Sequence, residues 1–189
     1  MICSHFKLYA MKSIAVFCAA SEQIDRSYVD AAHAVGLILG RMGAELVYGG
    51  ARFGLMEAVA RSAKENGAKI TGVVPYILEE RDRVSYILDE KINCDNLSDR
   101  KDIMLRRSDL LVALPGGIGT LDEIFHVVAA ATIGYHSKKV VLYNVDGFWD
   151  GLVDVIAIMA GKGFIRSNLT DKLIVVDSLD ELEKVINEI

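Results

Sequence analysis

The residues with the clearest capacity for chemistry lie in one short run, PGGIGTLDE, at residues 115–123. Its three glycines leave backbone N–H groups unshielded, and a helix that starts here would add the partial positive charge of its dipole. An end of this kind binds phosphate. The carboxylates of Asp122 and Glu123 are out of place for phosphate binding alone, so they indicate chemistry beside a bound phosphate.

A purely structural interpretation of the same run stays open at this point. Thr120 and Glu123 have the Thr-x-x-Glu spacing of a capping box, in which each side chain satisfies the backbone N–H of the other residue. Acidic residues are also ordinary in a first helical turn, because they oppose the dipole. We therefore expect Thr120 to cap the helix, with Asp122 and Glu123 in its first turn, and other parts of the chain must decide the function.

Alternating strands and helices must position this run. Short apolar stretches rich in β-branched residues predict strands at residues 13–18, 45–48, 69–74, 85–88, 110–114, 139–143 and 173–176, with a charged loop at 79–83. Apolar residues at helical spacing predict a helix at residues 25–43. Further helices are predicted at residues 54–66, 120–134, 148–161 and 179–188, and a short polar helix at 96–107 with Ser98 as its cap. This order predicts a single-domain α/β fold: a Rossmann-like doubly wound parallel sheet with helices on both faces.

Ligands of such sheets bind beyond the carboxyl ends of the strands. A second glycine-rich junction, YGGARFGLM at residues 48–56, also follows a predicted strand and enters a helix. Gly36 and Gly40, in contrast, lie four residues apart within the first predicted helix. That spacing indicates close helix packing rather than a ligand site.

Composition narrows the class of protein. With 189 residues, 52% of them hydrophobic, and two prolines, the chain is expected to form one domain at residues 12–189 after a flexible extension at residues 1–11. A net charge of −5 without a basic run argues against a nucleic-acid partner, and no apolar run approaches the ~18 residues of a membrane span. Three cysteines without C-x-x-C spacing predict reduced thiols and a cytoplasmic location.

Several known motifs are absent. The chain has neither the Walker A pattern nor the G-x-S-x-G of serine hydrolases, and the dinucleotide fingerprint that begins at Gly117 fails because Asp122 stands where its last glycine would be. The four histidines have no metal-ligand spacing, and His126 is expected at a helix surface or an interface.

Five motifs, in the right order, resemble those of the Lonely Guy family, the cytokinin riboside 5′-monophosphate phosphoribohydrolases formerly labelled lysine decarboxylases. They are VFCAAS at 16–21, YGGARFGLM at 48–56, DRKDIM at 99–104, PGGIGTLDE at 115–123 and GYHSKKVVLYNVDGFWDGL at 134–152. The resemblance covers nearly the whole chain from Lys12 onward. Ala51 and Glu57 depart from it, since family members usually carry glycine there, and the departures bear on substrate choice more than on reaction class.

The resemblance implies hydrolysis of the N-glycosidic bond of a nucleoside 5′-monophosphate, either a cytokinin riboside monophosphate or AMP, to free base and ribose 5-phosphate. It implies Glu123 and Arg100 as catalytic residues, no metal or redox cofactor, and a homodimer or larger homo-oligomer. Glu123 suits this role because a fixed carboxylate stabilises the positive charge that develops on the sugar. The substrate contacts that it implies are Gly116, Gly117, Gly119, Thr120, Gly49, Gly50, Gly54, Ser21 and Lys101.

Two other functions compete. A non-catalytic carrier of a nucleotide or of molybdenum cofactor, with the same fold, would share the glycine loops but would not need Arg100 and Glu123 together. A lysine decarboxylase would need a lysine that forms a Schiff base with pyridoxal phosphate, and no lysine here stands in a recognisable arrangement for it.

Overall fold

A seven-stranded sheet organises the part of the chain that the structure, a computed structural model, describes: residues 11–165, 169 and 171–189. The strands are β1 (Ser13–Phe17), β2 (Glu45–Tyr48), β3 (Lys69–Pro75), β4 (Glu90–Cys94), β5 (Leu110–Ala113), β6 (Val140–Tyr143) and β7 (Leu173–Val176). All neighbours pair in parallel, in the order β4-β3-β2-β1-β5-β6-β7. The predicted extension at residues 1–11 lies, apart from Met11, outside the described residues.

Helices cover both faces of the sheet. Within the described ranges they are α1 (Arg26–Arg41), α2 (Gly54–Glu65), α3 (Tyr76–Glu80), α4 (Leu97–Arg107), α5 (Ile118–Thr132), α6 (Asp150–Gly161) and α7 (Leu179–Asn187). Residues of α1, α2 and α7 pack in one hydrophobic cluster, and residues of α4, α5 and α6 pack in another. The doubly wound parallel sheet is therefore confirmed. No helix in the described part of the chain has the length and apolar character that crossing a bilayer requires.

The strand order reverses at β1, which pairs with β2 on one side and with β5 on the other. In open parallel sheets the crevice beside such a reversal is the usual ligand site, because the loops that follow the two strands diverge there. The PGGIGTLDE run follows β5 directly. The fold thus brings the predicted phosphate loop to this crevice.

Gly36 and Gly40 bring α1 close to α2, as predicted. A Cβ atom on Gly36 would lie 2.4 Å from the carbonyl oxygen of Val59, and one on Gly40 would lie 2.4 Å from the Cβ of Asn66. Any larger residue would force the two helices apart.

The predicted strand at residues 85–88 is wrong. The strand beside β3 is β4, five residues downstream, which lies at the sheet edge and begins with the charged residues Glu90 and Lys91. Charged residues on an edge strand discourage pairing with other chains, and they also hide the strand from a search for apolar stretches. Ile87 and Leu88 instead pack against the α1–α2 cluster. Part of the loop predicted at 79–83 belongs to α3.

Candidate active site

The turn between β5 and α5 keeps its backbone donors unoccupied. Helix α5 begins at Ile118 with Gly117 as its N-cap, and the first N–H to bond back is that of Leu121, to the carbonyl oxygen of Gly117 at 3.0 Å. No acceptor in the described part of the chain takes up the N–H groups of residues 116–120. A Cβ atom on Gly117 or Gly119 would meet nothing within 4 Å. Donors at the positive end of a helix, facing open space, are what a phosphate site needs.

Thr120 does not cap α5, contrary to the prediction. The helix starts two residues earlier, so Thr120 is its third residue and is buried, with its hydroxyl against Gly116: a Cβ atom there would lie 2.1 Å from Thr120 Oγ1. Asp122 and Glu123 consequently lie beyond the first turn, where a capping box cannot form. The structural interpretation of Glu123 is therefore wrong, because the helix start makes no use of its carboxylate.

Glu123 lies beside Arg100 in the interior. The side chains are 7% and 10% exposed, and Arg100 Nη1 is 3.9 Å from Glu123 Oε1, an ion pair without a hydrogen bond. Arg100 Nε donates to the carbonyl oxygen of Val73 at 3.1 Å, while Nη2 is buried and has no partner. Buried polar groups in folded proteins are normally paired. An unpaired guanidinium nitrogen next to a carboxylate therefore indicates a site that a ligand completes.

Burial sets the charge of this carboxyl group. Desolvation raises the pKa of Glu123 to about 7, even though the positive charge of Arg100 acts in the opposite direction. Burial and the Glu123 charge also raise the pKa of the Cys18 thiol well above its usual range, so this neighbour at the end of β1 stays protonated. A carboxyl group that titrates near neutral pH can both accept and return a proton in one reaction cycle.

The start of α4 and the first glycine after β2 position Arg100. Asn96, not the predicted Ser98, caps α4: its side-chain oxygen accepts the N–H groups of Ser98 and Asp99, both at 2.9 Å. A Cβ atom on Gly49 would lie 1.7 Å from Arg100 Nη2. Glycine at position 49 therefore makes room for the guanidinium.

The second glycine junction, between β2 and α2, is built differently from the PGGIGT turn. Gly54 has a φ of +58°, and a Cβ atom on it would lie 2.3 Å from the carbonyl oxygen of Ser21. The first N–H groups of α2, those of Leu55 and Met56, point to the carbonyl oxygen of Ala19 at 3.0 and 3.3 Å. The donors of this helix start are thus occupied by the loop after β1, and Gly54 permits that close approach.

Lys101 and Ser21 border two different cavities beside the turn between β5 and α5. Lys101 Nζ donates to both carboxylate oxygens of Asp122 at 2.7 Å and so joins α4 to α5. Ser21 is exposed and lines a cleft of about 370 Å³ together with Gly116 and Gly117. Lys101 instead borders a much smaller cavity of about 40 Å³ beside Arg100 and Glu123.

Ala51 and Glu57, which stand where family members usually carry glycine, both contact the segment at residues 84–85. Ala51 is buried and forms an isolated antiparallel bridge with Val84, and Glu57 Oε2 accepts the hydroxyl of Ser85 at 2.6 Å. Neither residue has a hydrogen bond or an ion pair with Arg100 or Glu123.

Other polar groups lie near the candidate site without forming part of it. His126 Nε2 lies 2.9 Å from Asp102 Oδ1, on the surface between α5 and α4, as predicted. Within the described ranges, no three His, Cys, Asp or Glu side chains form a group that could hold a metal ion. Two groups near the site, the Cys18 thiol and the Val73 carbonyl, were not predicted to lie there. The only feature of the sequence that indicates their position is that each lies at or near the carboxyl end of a predicted strand.

Comparison with known proteins identifies a family and several relatives. A family model described as "Possible lysine decarboxylase" matches residues 56–186. A cytokinin riboside 5′-monophosphate phosphoribohydrolase of Arabidopsis thaliana is 37% identical over 175 residues, which cover 93% of this chain and 81% of the relative. One of the same name from Mycobacterium marinum is 34% identical over 169 residues, covering 89% of this chain and 90% of the relative. Among solved structures, the Moco carrier protein of Chlamydomonas shares the fold, with a TM-score of 0.71 at 21% identity over 95% of this chain and 98% of that one.

Sequence identity and motif order therefore point to the same group of proteins, while the likeness to the carrier extends to the fold alone. The chain belongs to the Lonely Guy family of cytokinin riboside 5′-monophosphate phosphoribohydrolases, a family of hydrolases whose sequence model keeps the older description of a possible lysine decarboxylase.

Proposed function

We propose that residues 12–189 form a catalytic domain that hydrolyses the N-glycosidic bond of a nucleoside 5′-monophosphate, such as a cytokinin riboside monophosphate or AMP. One observation carries this proposal above the others. A buried carboxyl group, Glu123, has no hydrogen-bond donor among the described residues, lies beside an arginine with an unpaired nitrogen, and is on the same helix as the unoccupied N–H groups.

In this proposal the N–H groups of residues 116–120 donate hydrogen bonds to the oxygens of the 5′-phosphate, and the Thr120 hydroxyl lies at the same loop. The helix dipole and the short distance along α5 then place C1′ of the sugar near Glu123. Gly49, Gly50 and Gly54 shape the opposite wall of the site, Ser21 lies at the sugar or the phosphate, and Lys101 holds α4 and α5 together.

The bond between C1′ and the base nitrogen breaks with its electron pair going to the base. Positive charge develops on the sugar ring, and the Glu123 carboxylate stabilises it. Arg100 Nη2 donates to the departing base and so favours its departure. A water oxygen bonds to C1′, its proton passes to Glu123 and then to the base, and the products are ribose 5-phosphate and free base.

The proposal is tested by incubating the purified protein with AMP and with isopentenyladenosine monophosphate, followed by chromatography for free base. We expect base release from at least one nucleotide, in equal amount to ribose 5-phosphate, and none from the corresponding nucleoside, because the phosphate loop would be empty. Measurable nucleotide binding without base release would contradict the enzyme and favour a carrier.

We also propose that the protein is a homodimer or larger homo-oligomer and acts in the cytoplasm. No residue of α6 is buried, and its apolar residues Val155 and Ile158 are 51% and 58% exposed. The helix also borders an apolar cleft of about 390 Å³, together with Phe125 and Ile133 at the end of α5. A second copy of the chain would cover these residues. Light scattering should show a dimer or larger species, Ile158→Asp should shift it towards the monomer, and a wild-type monomer at micromolar concentration would contradict this.

A further inference from the structure

The segment between α3 and β4, residues 81–88, packs along the β2–α2 junction rather than extending into solvent. Arg52 N–H donates to the carbonyl oxygen of Arg83 at 3.0 Å, and Ser85 N–H donates to the carbonyl oxygen of Gly50 at 2.8 Å. The bridge between Ala51 and Val84 lies between these two hydrogen bonds. The 81–88 segment thus pairs with the junction as a short antiparallel strand would.

Side chains hold this pairing in place. The Ser85 hydroxyl, on a residue that is 4% exposed, donates to Glu57 Oε2 at 2.6 Å, and Glu57 Oε1 accepts Arg61 Nη2 at 2.7 Å. Glu57 is therefore fully occupied by one buried hydroxyl and one guanidinium, and it joins the 81–88 segment to the first turn of α2.

Arg52 and two aromatic rings form the outer rim of the same contact. The Arg52 guanidinium donates to Asp82 Oδ2 at 2.9 Å and to the Tyr86 hydroxyl. It also lies over the Phe53 ring, 5.2 Å from the centroid, and Arg83 lies over that ring at 5.1 Å. Contacts of this kind add to the hold on the 81–88 segment from its exposed side.

The 81–88 segment lies next to the residues that adjoin Arg100: Ser85 N–H donates to the carbonyl oxygen of Gly50, and the preceding residue, Gly49, lies against Arg100 Nη2. With the phosphate at residues 116–120 and C1′ near Glu123, the base lies beyond C1′ on the side away from the phosphate. Arg100 extends towards the carboxyl ends of β2 and β3, since its Nε donates to Val73 and its Nη2 contacts Gly49. In the proposed pose, the base that takes a hydrogen bond from Arg100 Nη2 lies beside Gly49, and the 81–88 segment pairs with the residues that follow it, from Gly50 to Arg52.

From this placement we infer that the 81–88 segment is the base-side wall of the active site, that Glu57 and Ser85 are the positioning residues that hold it, and that it restricts the size of the base that is accepted. The inference rests on the proposed hydrolysis of nucleoside 5′-monophosphates. A wall fixed by backbone pairing and by a buried hydroxyl–carboxylate contact cannot move to admit a bulky substituent. Releasing it enlarges the space available to the base and leaves the phosphate loop untouched.

The test compares kcat/KM for AMP and for isopentenyladenosine monophosphate, which differ by one bulky group on the base. In Glu57→Ala and in Ser85→Ala, the ratio of the larger to the smaller substrate should rise about tenfold, the scale on which a pocket discriminates small apolar groups. The double variant should add little, because the two residues form one contact. Circular dichroism and the midpoint of thermal unfolding, measured in parallel, show whether each variant is folded.

Two control variants separate positioning from general loosening. Glu57→Gln keeps a side-chain oxygen for the Ser85 hydroxyl and should retain the wild-type ratio. The side chain of Arg61 is 53% exposed. Arg61→Ala removes only this exposed partner of Glu57 and should leave the ratio within about twofold of the wild-type value.

The outcomes are distinguishable. Wild-type protein that hydrolyses both nucleotides, with an unchanged ratio in folded Glu57→Ala and Ser85→Ala, overturns this inference and leaves the proposed function standing. An equal fall in kcat/KM for both substrates also overturns it, since that result assigns the contact to overall stability. Wild-type protein that hydrolyses neither nucleotide overturns the proposed function and the inference with it.

Discussion

Two glutamates, each 6% exposed, are buried at opposite ends of the strands of the sheet, and they differ in their hydrogen-bond partners and neighbouring charges. Glu45, the first residue of β2, is surrounded by hydrogen-bond donors and positive charges at the amino edge. These are Thr71 at 2.6 Å, Ser13 at 3.2 Å, Arg107 at 2.9 Å and Lys69 at 3.2 Å. Glu123, beyond the carboxyl end of β5, accepts no hydrogen bond from a described residue and has Arg100 at 3.9 Å.

The difference fixes the two charges in opposite ways. Burial alone would raise the pKa of Glu45, but hydrogen bonds from Thr71 and Arg107 bring it below its ordinary value. At Glu123 burial outweighs the single arginine, and the pKa is raised to about 7. A buried carboxylate that accepts several hydrogen bonds stays charged and links strands and helices. A buried carboxyl group without hydrogen-bond donors can gain and lose a proton near neutral pH. Burial by itself therefore does not bring the pKa of a carboxyl group near neutral pH; the lack of hydrogen-bond partners is also needed.

Glu123→Gln gives the largest expected effect. Turnover of the proposed substrate should fall about a thousandfold, because the amide cannot stabilise the positive charge of the transition state. The fold and the affinity for AMP should persist, since residues 116–120 are unchanged. Single-turnover kinetics with AMP measures the loss, and a rate within tenfold of wild type would remove Glu123 from the chemistry.

Glu45→Gln should do the converse. Arg107 and Lys69 lose a charged partner at a partly buried site, which should lower the free energy of unfolding by about 2 kcal/mol, while kcat of the folded protein stays unchanged. Urea denaturation measures the first quantity and steady-state kinetics the second. Asp30→Asn, which disrupts the exposed pair with Arg26, is the matched control and should change stability by less than about 0.5 kcal/mol. A loss of kcat in Glu45→Gln without a loss of stability would contradict the assignment of Glu45 to stability alone.

The pH dependence of stability has opposite signs at the two residues. Between the ordinary glutamate value of 4.5 and about 7, folded Glu123 keeps a proton that the unfolded chain has released, so its contribution to the free energy of unfolding falls as pH rises through this window. Glu45 contributes stability above its unfolded pKa and loses it as pH falls through its lowered folded pKa.

Denaturation series at pH 5 and pH 8 measure this difference. Relative to wild type, Glu123→Gln should become more stable from pH 5 to pH 8 by about 3 kcal/mol. Glu45→Gln should show no such gain, and an equal pH response of the two variants would contradict the assignment.

The fold could largely be predicted from the sequence because most of its strands are buried and apolar. β2 and β7 have the predicted bounds, and β1, β3, β5 and β6 differ from them by a residue. β4 was missed because an edge strand needs only one apolar face, and the apolar residues at 87–88 pack against a cluster instead of joining the sheet. Periodicity cannot distinguish these two uses of a short apolar stretch.

The start of the helix at the candidate site could not be predicted from the sequence. The PGGIGTLDE run indicates a phosphate loop, yet its sequence fits equally a helix that begins at Thr120 and one that begins at Ile118. Only the second leaves Glu123 outside a capping box, and the close approach of Thr120 to Gly116 selects it. The role of Gly49 in accommodating Arg100, and the partners of Glu57 and Ala51, depend on contacts between distant segments, which no local pattern encodes.

The central claim is that Glu123, unlike Glu45, titrates near neutral pH. Carbon-13 NMR of protein labelled at the glutamate carboxyl carbon, recorded from pH 3 to pH 9 for wild type, Glu123→Gln and Glu45→Gln, assigns both residues by the resonance that each variant lacks. We predict that the resonance missing from Glu123→Gln titrates with a pKa of about 7 and that the one missing from Glu45→Gln titrates below 4.5. A Glu123 resonance that titrates at or below 4.5 would contradict the account.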